Sequence, residues 1–119
     1  MLLNDFFDIQ QITQEGNTAL CSVSLNLQHS IYSGHFPGNP VTPGVVQIQM
    51  VKELLEQVLN QKLSLLNMPR CKFLAVLDPR QTPQFVVKLE ISKQDNLVKV
   101  NASGEEGEQV FFKLSAVYQ

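Results

Sequence analysis

Between residues 33 and 44 the chain reads Ser33-Gly34-His35-Phe36-Pro37-Gly38-Asn39-Pro40-Val41-Thr42-Pro43-Gly44, with three prolines and three glycines in twelve positions. So many φ-fixing and helix-breaking residues forbid a regular element and predict a stiff, shaped loop. That loop carries one of the chain's two histidines. Imidazole is the side chain that ordinarily changes charge nearest neutral pH, so His35 is the natural proton-moving group. A helix should follow from Val45 to Leu59, where no breaker occurs, with Thr42 as N-cap and Pro43 at the first helical position. Unpaired amides and partial positive charge at a helix start suit developing negative charge.

The helix has an uneven face distribution. At 100° per residue, Ile48, Val51, Leu54, Leu55, Val58 and Leu59 form a broad apolar arc, while Gln49, Glu53 and Glu56 gather on a separate side. An enclosed helix with one polar seam is expected. Before the loop, Thr18 to Leu27 alternates, with Cys21, Val23, Leu25 and Leu27 on one face. After the helix, Asn60 to Arg70 reads as a connection and Lys72 to Leu77 as a short apolar strand. Phe85 to Ser92, Leu97 to Ser103 and Val110 to Tyr118 alternate again, with turns at Asp95-Asn96 and Gly104 to Gly107. The order predicts an α+β layout, a sheet of five or six antiparallel strands wrapped around a central helix. An open sheet of that kind keeps an exposed edge, which pairing in a dimer would cover.

Composition narrows the function classes. A chain of 119 residues fits one domain over residues 1–119. Nine basic and eleven acidic residues give a net charge of -2 without a Lys/Arg cluster, which argues against nucleic acid. Cys21 and Cys71 stand far apart with no C-x-x-C spacing, so neither a metal site nor a redox pair is expected. Each shares strand parity with apolar residues and reads as a buried thiol. Residues 1–10 lack a positive n-region and carry Asp5 and Asp8, and no apolar run is long enough for a bilayer. A cytoplasmic protein is the default expectation.

The string His35-Phe36-Pro37-Gly38-Asn39-Pro40, followed by Pro43-Gly44-Val45, resembles the H-F-P-G-x-P-x-x-P-G-V signature of the 3-hydroxyacyl-[acyl carrier protein] dehydratase family at every defined position. Lys72-Phe73-Leu74 and Pro79 resemble that family's K-F-x-x-x-V-x-P-G-D stretch, with its glycine and aspartate absent. The resemblance implies a hotdog fold and the conversion of carrier-bound 3-hydroxyacyl thioesters to trans-2-enoyl thioesters, with no metal or redox cofactor. Such chemistry removes a proton next to a carbonyl and expels hydroxide, so it needs a base, an oxyanion stabiliser and an acid. The resemblance makes His35 the base and the Gly44 and Val45 amides the thioester-oxygen site, with Phe36 and Gly38 in the substrate loop. It implies acyl carrier protein or another acyl thioester as partner, and a homodimer or a heterodimer with a related hotdog subunit.

One position departs from the pattern. The family places Glu or Asp five residues after the glycine of Pro-Gly, on the helix of the neighbouring subunit, and here that residue is Gln49. An amide can orient a hydroxyl or a water but transfers no proton at accessible pH, a loss of about 10²- to 10⁴-fold. Glu53, one turn on and about 40° round the helix, is displaced by roughly 5–6 Å, a large error for proton transfer. Glu53 and Glu56 read more simply as a solvated or interfacial seam, and His29 as a surface residue at a strand end. Phe73, Phe85, Val87 and Phe112 read as core, and Arg70, Lys72 and Arg80 as a solvated face or a small patch for an acidic carrier. Two alternatives stand beside the dehydratase: a non-catalytic or half-site subunit that binds the thioester or its carrier, and a hotdog thioesterase.

Overall fold

The computed structural model describes all residues from Met1 to Gln119. Six strands form one antiparallel sheet: β1 (Phe7–Glu15), β2 (Thr18–Leu25), β3 (Leu65–Phe73), β4 (Gln84–Gln94), β5 (Leu97–Glu106) and β6 (Gln109–Tyr118), in the spatial order β1-β2-β4-β5-β6-β3. A short helix α1 (Ser30–Gly34) and a long helix α2 (Gly44–Leu59) lie between β2 and β3. The inner sheet face is built from the alternation expected of half-buried strands: Ala19, Cys21 and Val23 on β2, Phe85, Val87 and Leu89 on β4, Val98, Val100 and Ala102 on β5. These side chains share one core with Val46, Met50, Val51, Leu54 and Leu55 of α2. A sheet curled on one buried helix is the hotdog layout, α+β as expected.

Pattern reading fails where a strand has little to bury. β1 is almost entirely polar and exposed after Phe7, so no alternation marks it. β3 runs through what reads as a connection because it is an edge strand with no buried residue and a proline, Pro69, within it. It ends at Phe73, and the chain onward to Leu77 is irregular. Cys71 is therefore exposed, not a core thiol, whereas Cys21 is buried as expected and burial pushes its thiol up to about 11. Phe73 is likewise half exposed rather than core. β2 stops at Leu25, leaving Leu27 outside.

The last hairpin turns at Gly107, not at Gly104. Gly104 lies within β5 opposite Phe112, and a Cβ there would overlap the Phe112 ring. A register shift follows at Glu105, and it lets Phe111 and Phe112 both point inward, Phe111 meeting Phe85 edge-on at 5.9 Å. His29 is no loose surface residue. It caps α1, its Nδ1 accepting from the Ile31 amide at 3.1 Å, while Nε2 faces the Asp5 carboxylate at 3.1 Å.

Candidate active site

The His35 loop is held by its own backbone and from outside. The amides of Phe36 and Asn39 donate to each other's carbonyls at 3.1 and 2.9 Å, and the Val41 amide donates to the His35 carbonyl at 2.9 Å. Gly38 takes φ +74°, a left-handed conformation that glycine adopts without a Cβ clash. The irregular segment after β3 anchors the far end, with the Thr42 amide donating to the Leu77 carbonyl at 2.9 Å. Arg80 pairs with Asp78 through Nε at 3.2 Å and Nη2 at 2.9 Å, and the same guanidinium reaches Asn39 Oδ1 at 3.2 Å. Arg80 therefore braces this loop instead of joining a free basic patch with Arg70 and Lys72.

Within the loop, the His35 Nδ1 stands 3.3 Å from the Val41 carbonyl oxygen. A carbonyl only accepts, so this contact puts the ring proton on Nδ1 and leaves the Nε2 lone pair free. The ring stacks on Phe36 at 4.2 Å, and Phe36 itself stays half exposed.

The start of α2 differs from the expected cap. Pro43 occupies the N-cap position with no side-chain acceptor, and Thr42 turns inward to share a 2.8 Å hydrogen bond with Tyr32. Burial pushes the Tyr32 phenol up to about 12, so it remains a neutral partner of Thr42. Helices usually satisfy their first amides with a cap, and here the amides of Gly44 and Val45 donate to nothing in the chain. The Phe73 ring lies across Gly44 so closely that a Cβ at that position would fall 2.6 Å from Phe73 Cζ. Glycine is what lets an aromatic wall approach the helix start.

His35 and Gly44 line one cavity of about 440 Å³ with Thr42, Pro43, Gln47 and the stretch Phe73 to Leu77. Its walls are mostly apolar, and its polar groups converge at the helix start, as in sites for small apolar ligands with one reactive end. Phe36, Gly38, Val45 and Gln49 do not line it in the same protomer. Gln47 was not singled out from sequence. It is buried, its Nε2 donates to the Thr42 carbonyl at 3.0 Å, and its Oε1 has no partner. A lone amide inside the apolar run from Val45 to Ile48 was the available signal.

Farther along α2, Glu53 is buried rather than part of a solvated seam. Its carboxylate accepts from the Leu2 amide at 2.9 Å, the Leu3 amide at 2.8 Å and Gln49 Nε2 at 2.9 Å. Four-residue spacing on a helix brings the two side chains together. Glu53 is occupied as an acceptor and is not a free acid.

Fold and cavity define a hotdog protein of the dehydratase type. The sequence model of the ApeI-like family, described as ApeI dehydratase, matches residues 11–112, and the chain belongs to that family. It is 26% identical to the 3-hydroxyacyl-[acyl-carrier-protein] dehydratase FabZ of Levilactobacillus brevis over 88% of this chain and 75% of that protein. Among solved structures, it superposes on a chain of the dehydratase heterocomplex ApeI:P from Xenorhabdus doucetiae with a TM-score of 0.74 and 21% identity, covering 92% of this chain and 95% of that one. An uncharacterized protein from Erwinia carotovora subsp. atroseptica aligns with a TM-score of 0.61 and 21% identity over 93% and 90% of the two chains. No helix is long and apolar enough to cross a membrane.

Proposed function

We propose that the protein dehydrates 3-hydroxyacyl thioesters, carried by acyl carrier protein, to trans-2-enoyl thioesters at a site completed across a hotdog dimer. The observation that carries this reading is the pairing of two unsatisfied groups on one cavity: the free lone pair of His35 Nε2 and the uncapped helix start at Gly44 and Val45. The base removes the proton from C2, and charge developing on the thioester oxygen meets the two amides. The C3–O bond then breaks, and the leaving hydroxide takes a proton to become water. Gln49, on the facing subunit's helix, holds the hydroxyl but has no proton to give, so water must supply it. Dehydration by this chain alone is correspondingly slow.

A second reading has its own support. Gln49 is an amide and Glu53 is fully engaged as an acceptor, so the α2 polar face offers no free carboxylic acid. A related hotdog subunit with Glu or Asp at the matching helix position would supply one, and the structural likeness includes a chain from a dehydratase heterocomplex. In that case this chain contributes the base and the oxyanion site.

Turnover of a short 3-hydroxyacyl-carrier thioester by the purified protein, beside His35→Ala and Gln49→Glu, tests both. Slow enoyl formation that vanishes in His35→Ala supports the first reading, and silence relieved by Gln49→Glu or by an added carboxylate-bearing hotdog partner supports the second. A carboxyl at position 49 would lie against Glu53, and like charge there would help it keep its proton for the leaving group. Release of free thiol without enoyl product would overturn both in favour of a thioesterase.

A further inference from the structure

Glu53 and Gln49 form a pair whose orientation has a chemical consequence. Every contact the Glu53 carboxylate makes is with an N–H group: the Leu2 amide on both oxygens, the Leu3 amide on Oε1 and Gln49 Nε2 on Oε2. An amide side chain has a donor end and an acceptor end, and the acceptor next to Gln49 selects the donor end. The Gln49 carbonyl oxygen is thereby turned the other way. It accepts nothing from within the chain and is not among the buried unpaired atoms, so it remains reachable from outside the protomer.

We infer that Glu53, held by the amides of Leu2 and Leu3, is a positioning residue that fixes Gln49 as a hydrogen-bond acceptor, and that this makes the thioester site select acyl chains bearing a 3-hydroxyl. The inference rests on the reading above that Gln49 faces the bound thioester across the dimer. A 3-hydroxyl donates its O–H to the Gln49 carbonyl, whereas a saturated chain and the enoyl product have no donor there. The arrangement holds substrate and lets product go. It also explains why a buried carboxylate is retained one turn from Gln49: a neutral amide or an apolar residue at position 53 would not dictate which end of Gln49 points outward. Two segments share the task, because the N-terminal amides clamp the carboxylate from the side opposite Gln49's contact with it.

The test is titration calorimetry on the full chain with two pantetheine conjugates, 3-hydroxyoctanoyl and octanoyl, each joined by an amide in place of the thioester so that nothing turns over. The hydroxylated ligand is expected to bind about threefold to tenfold more tightly, the usual range for one hydrogen bond formed in place of a water contact. Gln49→Leu should remove that preference. Glu53→Gln keeps the shape but restores a donor to position 53, which frees Gln49 to flip, and the preference should fall towards unity while octanoyl binding is retained. Leu3→Pro, which deletes one clamping amide without touching α2, should lower the ratio in part and guards against misfolding of the Glu53 variant. A purely structural role for Glu53 would weaken both ligands alike and leave their ratio intact, and that result overturns the inference. Equal binding of both ligands to the unaltered chain overturns it as well, with the thioester site standing; binding of neither overturns the site itself.

Discussion

At the scale of single residues, the site depends on groups left unpaired and on others that hold them in place. His35 keeps a free Nε2 only because the Val41 carbonyl occupies its other nitrogen, and both residues sit in a loop tied down by Arg80. The Arg80 guanidinium beside Asp78 holds that carboxyl below the usual carboxylate range, chiefly through the side-chain hydrogen bond. A carboxyl with a lowered native pKa binds fewer protons folded than unfolded near pH 4, so its contribution is present above the ordinary carboxylate range and lost as pH falls. Asp78→Asn should therefore lower the thermal midpoint at pH 7 and converge with the unaltered protein below about pH 3, as followed by circular dichroism across pH. A midpoint difference that stays constant with pH would count against the ion pair. A second residue-scale expectation concerns packing: Gly104→Ala drives a methyl into the Phe112 ring and should destabilise the fold by about 1–3 kcal/mol in urea unfolding. The loop motif was legible in the sequence because its chemistry is local, spelled by consecutive prolines and glycines. The partners of Glu53 were not, because Leu2 and Leu3 reach it across about fifty residues and a backbone amide leaves no mark on residue type.

At the scale of elements, legibility followed burial. β2, β4, β5 and β6 bury one face each, and their alternation announces them. β1 and β3 are the sheet's two edges and bury almost nothing, so their sequences obey no period. The helix was readable in extent but not in its cap, since Thr42 is a good N-cap by type and its hydroxyl is instead held by Tyr32. That substitution of roles leaves α2 starting on Pro43, with two free amides beside His35. Pro43→Asp would supply the missing acceptor to the Val45 amide and place negative charge at the helix start. The cap adds roughly 1 kcal/mol and loss of the proline removes about 0.5–1 kcal/mol, so unfolding free energy should hardly change. Affinity for an acyl thioester should fall at least tenfold by calorimetry, because the oxyanion site is now filled and anionic. Undiminished binding would mean that the helix start does not hold the ligand.

At the scale of the whole molecule, the exposed apolar residues are not scattered. Leu65, Leu66 and Phe73 lie on β3, Leu74 and Val76 follow it, and Val45 stands at the start of α2 beside the same cavity. Unpaired edge and apolar surface coincide, which is the pattern a second sheet would cover. The proposed chemistry needs the same event, because Gln49 does not line the His35 cavity of its own protomer. Closing the sheet against a second hotdog subunit would satisfy the β3 backbone and bring a foreign α2 polar face to each cavity. Leu74→Asp with Val76→Asp places two charges on this surface without touching the core, since both side chains are more than half exposed. Sedimentation velocity should show the unaltered chain as a dimer and the double variant as a monomer that keeps its far-ultraviolet circular dichroism. Enoyl formation, whether by this chain alone or with a carboxylate-bearing partner, should disappear in the monomer, because base and hydroxyl-binding residue would no longer share a site. A folded monomer with undiminished turnover would place both functions within one protomer and remove the reason for assembly.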